Sequence, residues 1–266
     1  MATKKSRSTA EGEERLPRSI RSLNRSTDGI PRIIVYGEPG VGKTPFAASA
    51  PNALILDGDG GLDSALAAGS TAKAWSIRDW GDALEAYQWL ADGGYKRFDW
   101  VVIDSLTLFQ ESGLDNIMDD LVAVKSHRSI YLPDKGEYGQ NMSKLGRWLR
   151  DMKRLPIKQI WTAHAIKTEK ELPDGTIVEQ MMPQIQGKGL AEKFCGYVSV
   201  VAHLEVVESK KKGKQDYPVL ITSKSGGWYG KDRYGAIGRM ANPTVPKVMA
   251  AIEAKLDPSK AQTQGE

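Results

Sequence analysis

The sequence predicts an α/β fold: a mostly parallel twisted sheet with helices on both faces and antiparallel strands at the C-terminal side. Three observations support this prediction. Short apolar runs alternate with stretches of helical periodicity, a glycine-rich segment joins the first run to a helical stretch, and polar alternation begins after residue 166. Alternating strands and helices favour a parallel sheet that binds ligands at the carboxyl ends of its strands.

Four runs have the composition of buried parallel strands, because apolar and often β-branched residues dominate them. These runs are IPRIIVYG at 30–37, ALILDGDGG at 53–61, FDWVVIDS at 98–105 and KQIWTAHAI at 158–166. Two more strands are predicted at 197–208 and 217–223, separated by a lysine-rich turn.

Apolar residues recur at three-and-four spacing in two of the intervening segments, which predicts one buried face on each of two helices. The segment TEKELPDGTIVEQ after residue 166 alternates around a Pro-Asp-Gly turn and predicts a mobile hairpin or loop. A last helix is predicted over 244–256. The two helix faces consist of Trp80, Ala83, Leu84, Tyr87 and Leu90, and of Tyr138, Met142, Leu145, Leu149 and Met152.

The composition excludes several classes of protein. No apolar run reaches the twenty residues of a membrane span, and the start of the chain lacks the apolar stretch of a secretory signal, so we expect a cytoplasmic protein. The single cysteine, Cys195, can form no internal disulfide and has no zinc-site spacing around it.

The two ends of the chain differ in composition from its middle. Residues 1–29 are basic and poor in large apolar side chains, which predicts a disordered arm that either contacts phosphates or aids solubility. Residues 257–266 form a polar tail. We expect a single folded domain over residues 30–256.

Residues 37–44 spell GEPGVGKT, which matches the phosphate-binding pattern GxxxxGKT between an apolar strand and a helix. Its glycines let consecutive N–H groups turn toward phosphate oxygens, and the helix N-terminus adds partial positive charge. Lys43 would reach the β and γ phosphates, and the Thr44 hydroxyl would hold Mg²⁺. The predicted ATP-binding residues are Gly37, Glu38, Pro39, Gly40, Val41, Gly42, Lys43, Thr44 and Pro45.

The strand FDWVVID ends in Asp104. By itself such an aspartate is usually a turn residue. Beside a phosphate-binding loop it indicates a carboxylate delivered to Mg²⁺ from the neighbouring strand end. The predicted metal ligands are therefore Thr44 and Asp104.

The order of these segments resembles that of the RecA-like recombinases, and more closely that of phage ATP-binding proteins that anneal or pair single strands. The resemblance extends over roughly residues 30–240. It implies a RecA-like P-loop NTPase core that hydrolyses ATP with Mg²⁺ and assembles into a ring or filament. For a phage protein, the compartment would be the host cell cytoplasm.

Two acids and a histidine take roles from this resemblance. LDGDGGLD at 56–63 resembles the segment whose acid polarises the attacking water, which points to Asp59 where recombinases usually have glutamate. Asp57 is the alternative, and both could be turn residues. His164 matches the strand-end residue that senses the γ-phosphate and signals to the following loop, and a buried structural histidine is the alternative.

Two later segments resemble parts of the same family. IQGKGLAEKFCGYVSVVAHLEV is similar to the stretch that closes the second DNA-binding loop, which implies that residues 167–189 form that loop. GKDRYG at 230–235 resembles a Lys-x-Arg element that reaches the nucleotide of a neighbouring subunit. Lys231 and Arg233 would then stabilise the transferred phosphate, and a solvated charged turn is the alternative.

Cations occur in two candidate loops, and the first also contains Tyr131, a combination that suits single-strand binding, although acids are interspersed in both loops. The resemblance therefore supplies most of the evidence for DNA binding. The predicted contacts are Lys125, Arg128, Tyr131, Lys135, Lys167, Lys170 and Lys188.

Together these observations predict a RecA-like ATPase that binds single-stranded DNA and promotes annealing or strand pairing in phage recombination, with a single-strand-binding protein as a further partner. One alternative is a P-loop ATPase that acts on protein partners in replication, like a helicase loader. Another is a nucleotide-binding module with little hydrolysis, since Asp59 replaces glutamate. A small-molecule kinase is disfavoured because it would need a lid of arginines over the nucleotide, and the only candidate segment between the third and fourth strands is the one around His127 and Arg128.

Overall fold

A ten-stranded sheet forms the centre of the protein in a computed structural model that describes residues 29–209, 215–223 and 227–257. The predicted basic arm and polar tail lie outside these residues, apart from Gly29 and Asp257. Among the described helices, none is long and apolar enough to cross a membrane. The strands are β1 (Arg32–Gly37), β2 (Ala53–Asp57), β3 (Lys73–Ser76), β4 (Trp100–Asp104), β5 (Lys158–Glu171), β6 (Ile177–Pro183), β7 (Val200–Val207), β8 (Tyr217–Ile221), β9 (Lys231–Asp232) and β10 (Arg239–Ala241).

The strand order is β3-β2-β4-β5-β1-β7-β8-β10. The six strands from β3 to β7 are mutually parallel. β8 and β10 extend the sheet in antiparallel fashion, while β6 pairs with β5 and β9 with β7. This arrangement confirms the predicted α/β fold with antiparallel strands at the C-terminal side.

Helices cover both faces of the sheet, because successive strand residues point to opposite faces and both faces are apolar. Ile34 and Tyr36 of β1 pack into the core beneath the four helices between β3 and β7 in the chain, whereas Ile33 and Val35 pack into the core beneath the helices that follow β1, β2 and β10. The helices are α1 (Lys43–Ala48), α2 (Asp63–Ala67), α3 (Trp80–Ala91), α4 (Leu106–Val124), α5 (Lys135–Arg154), α6 (Lys188–Tyr197) and α7 (Val245–Leu256), with a 3-10 turn at Gly94–Arg97.

The two helices predicted from apolar spacing are α3 and α5, but three of the apolar positions do not lie in the core. Leu84 on α3 is 47% exposed, and Ala86 is the buried residue that completes this face. On α5, Tyr138 and Met142 are also substantially exposed. The apolar stripe therefore identifies the helices correctly but places too many side chains inside.

Helix α4 and strand β3 do not follow from the sequence patterns described above. The buried side of α4 includes Thr107 and Gly113, so its core face is not an apolar stripe. A Cβ atom at Gly113 would lie 2.6 Å from the Asn141 side-chain oxygen, which explains the small residue there. Strand β3 is a short, mostly exposed edge strand. Its sequence therefore shows little of the apolar pattern that predicts a buried strand.

The structure corrects the boundaries of three predicted strands, since β5 continues to Glu171 and does not end at residue 166. β2 ends at Asp57, not at residue 61, and Asp59 lies in the following turn. β7 begins at Val200, because Tyr197 is still the last residue of α6. The polar segment after residue 166 forms an antiparallel β5–β6 hairpin, as one of the two predictions stated.

Candidate functional site

The glycine-rich loop connects the end of β1 to the start of α1. Gly40 and Gly42 have φ angles of 80° and 97°, in the left-handed region that favours glycine. Gly37 is required for a different reason: a Cβ atom there would lie 2.3 Å from the Leu204 carbonyl oxygen. Pro45 lies in the first turn of α1, where the helix has no use for its missing N–H.

Lys43 begins α1 and is almost buried. Its Nζ donates hydrogen bonds to the carbonyl oxygens of Gly37 and Glu38, at 3.0 and 2.8 Å. Burial lowers the pKa of Lys43, and the charges of Asp104, Asp59 and Glu38 oppose that lowering. The ammonium group is therefore held inside the loop, at the point where phosphate oxygens would have to lie.

Asp104 ends β4 and is 2% exposed. Hydroxyl groups of Thr162 and Thr44 donate hydrogen bonds to its carboxylate. Burial raises the pKa of Asp104, and these two hydrogen bonds counteract the rise. The pairing of Thr44 with Asp104 brings the two predicted metal ligands together, and a hydroxyl beside a carboxylate is a donor set that suits Mg²⁺.

The strand order that brings Asp104 to the loop differs from the prediction. β4 is not the neighbour of β1, because β5 lies between them and pairs with both strands. Thr162 of β5 spans this gap by bonding Asp104. The sequence patterns did not identify Thr162, because it lies inside an apolar run and has a role only through strand order.

The two candidate acids after β2 have different environments. Asp57 is buried, and its Oδ1 accepts a 2.9 Å hydrogen bond from the Gly60 N–H, so it holds the turn. Asp59 is exposed and accepts a 3.1 Å hydrogen bond from the Ser105 hydroxyl. Of the two carboxylates, Asp59 is the one that a water molecule beside the loop could reach.

His164 lies beside the loop, since it pairs in register with Gly37 across β1 and β5. Its N–H donates to the Thr107 hydroxyl at 3.1 Å, and its carbonyl accepts from the Gln184 N–H at 2.8 Å. Thr107 in turn contacts the Gln184 carbonyl at 3.5 Å. These bonds join the loop edge to the segment that follows the β5–β6 hairpin, and neither Thr107 nor Gln184 was singled out from the sequence.

Lys231 and Arg233 lie beside the first residues of β7, away from the strand ends that hold the loop. Lys231 pairs with Val201, and the Arg233 N–H bonds the Ser199 carbonyl, level with the start of β1. At ~3.3 Å per residue, the start of β1 beside Arg233 is about 16 Å along the strand from Gly37, and Ile34, which is level with Lys231, is about 10 Å from it. Both side chains donate to the carbonyl oxygen of Gly196, at 3.0 and 2.6 Å, so neither contacts the loop of its own chain.

The predicted DNA contacts lie in two exposed regions. Tyr131 is 87% exposed in the link between α4 and α5, near Lys125 and Lys135. Lys170 is an exposed residue of β5. Lys188 is the first residue of α6, but its side chain lies outside the described part of the chain.

Two of the predicted DNA contacts form ion pairs within the chain. Arg128 pairs with Asp134 at 2.5 Å and with Glu137 at 3.3 Å. Lys167 pairs with Glu179 across the hairpin. These cations are partly neutralised before any phosphate arrives.

A cavity of about 430 Å³ opens beside the loop. Gly42 and Pro45 line one side, and Pro243 and Thr244, just before α7, line the other. It is the size of a small-molecule site and adjoins the end of the phosphate-binding loop.

A family model described as an AAA domain matches residues 30–234 of the chain. This match covers most of the chain and all the residues that hold the loop, the carboxylates and His164. The chain belongs to the AAA domain family. It is therefore a P-loop ATPase domain by fold and family. Comparison with curated proteins gives no match.

An AAA domain of this kind implies a bound nucleotide and usually Mg²⁺, and the residues present fit both. The buried Lys43 lies in a glycine loop that can accept phosphate, and the Thr44–Asp104 pair provides oxygen ligands.

Proposed function

We propose that this AAA domain hydrolyses ATP, binds single-stranded DNA and promotes annealing or strand pairing as a phage-type RecA-like assembly. The observation that carries the proposal is the convergence of Lys43, Thr44, Asp104 and His164 at one edge of the sheet. DNA binding rests on the exposed segments at either side of α5 and on the resemblance described above.

The residues at the site have separate roles in hydrolysis. Lys43 and the backbone N–H groups of residues 40–44 hold the phosphates, and Thr44 with Asp104 would hold Mg²⁺. The metal, when bound, neutralises charge on the phosphate oxygens. Asp59 accepts a hydrogen bond from the attacking water and orients it, because its carboxylate is exposed while Asp57 is committed to its turn.

His164 couples nucleotide binding to the hairpin that contacts DNA. A change at its side chain moves the β5 backbone, which is bonded to Thr107 and Gln184. Gln184 follows the β5–β6 hairpin that contains Lys170. Nucleotide binding would thus alter the position of the hairpin, and DNA on the hairpin would alter the nucleotide site by the same amount of free energy.

Lys231 and Arg233 act between copies of the chain. Their distance from the loop of their own chain supports a role on the nucleotide of a neighbouring copy, in a head-to-tail ring or filament. Their bonds to the end of α6 hold both cations at one place on the surface. Each copy would then complete the site of the next.

ATP turnover measured with and without single-stranded DNA tests the proposal. We expect the strand to accelerate phosphate release. Turnover that ignores DNA would instead favour an ATPase that acts on protein partners, and nucleotide binding without turnover would favour a module in which Asp59 cannot activate water.

A mixing experiment tests the role between copies. Arg233→Ala should bind ATP but hydrolyse it slowly, and adding the Lys43→Ala variant, which contributes an intact Arg233, should restore part of the rate. A normal rate in pure Arg233→Ala would remove this residue from the mechanism.

A further inference from the structure

A second cavity, of about 410 Å³, lies between α4, α5 and the base of the β5–β6 hairpin. No residue that lines it also lines the cavity beside the phosphate-binding loop. The side chains of Tyr138 and Ile166 line it while remaining 42% exposed, so it opens to solvent between them. Its volume lies in the range of roughly 300 to 1,000 Å³ that small ligands occupy.

Amide side chains converge in this cavity. The Gln110 oxygen accepts a hydrogen bond from the Gln186 N–H, and the Gln186 oxygen accepts one from Asn141 at 2.8 Å. The amide NH₂ groups of Gln110 and Gln186 donate to no protein acceptor within the described residues. The Gln184 side chain also has no hydrogen-bond partner among those residues, and the cavity therefore presents unpaired amide donors together with an amide acceptor.

An aromatic ring lines the mouth of the cavity, and lysines lie further along the elements that frame it. Tyr138 follows Lys135 by three residues on α5, so both lie on the same side of the helix. On β5, the alternate residues Ile166 and Thr168 line the cavity, and Lys170 continues that face of the strand. Two lysines therefore lie on the elements that frame a tyrosine ring and a set of amides.

We propose that this cavity receives one unstacked base of a single-stranded nucleic acid. The Tyr138 ring stacks on the base, and the amides of Gln110, Gln184 and Gln186 pair with its edge, which carries both donors and acceptors. Lys135 and Lys170 bind the flanking phosphates. Glu111 also lines the cavity and would accept from an exocyclic amino group. This inference rests on the proposed single-strand binding.

The position of the cavity would let a bound base affect the nucleotide site. Gln184 lines the cavity, and its backbone bonds both His164 and Thr107. A base that pairs with Gln184 therefore acts on the residue beside the phosphate-binding loop. Bases, and not phosphates alone, would then stimulate ATP hydrolysis.

Two fluorescent strands of equal length test the proposal with the full chain: oligo(dT) and the same backbone with abasic sites. The wild type should bind oligo(dT) about tenfold more tightly, because stacking on one aromatic residue contributes a factor of this size. Tyr138→Ala should lose that preference and Tyr138→Phe should keep it. The salt dependence of binding should stay the same in both variants, since phosphate contacts set it.

Two further variants distinguish a base site from a general loss of apolar surface. Leu84→Ala removes another half-exposed apolar side chain from a helix and should keep the preference. Gln184→Ala, which leaves the ring in place, should weaken oligo(dT) binding a few-fold. Thermal unfolding of each variant confirms that it is folded.

Different outcomes would overturn the base site or the single-strand binding on which it rests. Equal binding of both strands by the wild type would overturn the base site, as would a preference that survives in folded Tyr138→Ala or disappears only in Tyr131→Ala. A wild type that binds neither strand would overturn the proposed single-strand binding itself.

Discussion

The phosphate-binding loop and the exposed segments around α5 both contain cations, but they hold them in different ways. Lys43 is buried and bonded to two carbonyl oxygens in the loop, while Asp104 is 2% exposed beneath two threonine hydroxyls. By contrast, Lys170 is exposed, and Arg128 and Lys167 lie in ion pairs near the surface.

This difference predicts how each region responds to substitution. Buried charges are costly unless they are paired or bind a ligand, so removing one from the loop changes both ligand binding and local stability. Exposed charges are screened by solvent and contribute little individually. The nucleotide site should therefore fail with single substitutions, whereas the exposed surface should weaken gradually.

Lys43→Ala should give the largest effect, a loss of about 1,000-fold in ATP turnover, because one buried cation holds the phosphates in the loop. Steady-state phosphate release measures it. Lys73→Ala, which removes an exposed lysine from the edge strand β3, is the matched control and should keep the wild-type rate. Equal rates in the two variants would show that the loop does not bind the reacting phosphates.

Asp104→Asn should lower turnover by a few hundred-fold, since the amide retains the shape of the carboxylate but lacks the charge that holds Mg²⁺. The loss should be evident as a much higher Mg²⁺ concentration at half-maximal rate. Asp99→Asn, at an exposed position just before β4, serves as control. An unchanged Mg²⁺ requirement would remove Asp104 from the metal site.

His203 should make the free energy of unfolding sensitive to acid. It is 2% exposed and stacked on Trp228, and burial lowers its pKa from 6.5 to about 4, although a Glu205 oxygen lies 3.9 Å from Nδ1. A lowered pKa means that the unfolded chain binds the proton first. Stability is thus fully present above pH 6.5 and falls as the pH approaches 4, by roughly 3 kcal/mol.

Urea unfolding between pH 7 and pH 4 measures this loss. His203→Phe keeps an aromatic ring but cannot titrate, so its free energy of unfolding should fall less over the same range. His127→Gln changes an exposed histidine and should follow the wild type. Parallel pH profiles for wild type and His203→Phe would contradict the prediction.

Lys170→Ala should give the smallest effect, a few-fold loss of single-strand affinity and a decrease of about 0.7 in the salt slope, as expected for one phosphate contact. Fluorescence anisotropy at several salt concentrations measures both. Arg128→Ala should change the slope less, because Asp134 and Glu137 already pair with that guanidinium. The reverse order would mean that the internal ion pairs open when DNA binds.

Local sequence patterns were sufficient wherever one segment forms a complete unit. The loop at 37–44 is such a unit, because its strand, glycines and helix are contiguous. Patterns were insufficient wherever a role depends on a distant partner. Thr162 looks like one more residue of an apolar strand until strand order places it beside Asp104, and α4 has no apolar stripe because Gly113 packs against another helix.

The sequence by itself determined the α/β fold class, the phosphate-binding loop and the acidic end of β4, since these follow from the period of apolar residues and from backbone freedom at glycine. Only the tertiary structure decided that β5 separates β1 from β4, that Asp57 is committed to a turn while Asp59 is exposed, and that Lys231 and Arg233 lie far from the loop of their own chain. The reason is physical: periodicity reports which side of an element is buried, whereas strand order and side-chain partners arise from contacts between segments far apart in the chain.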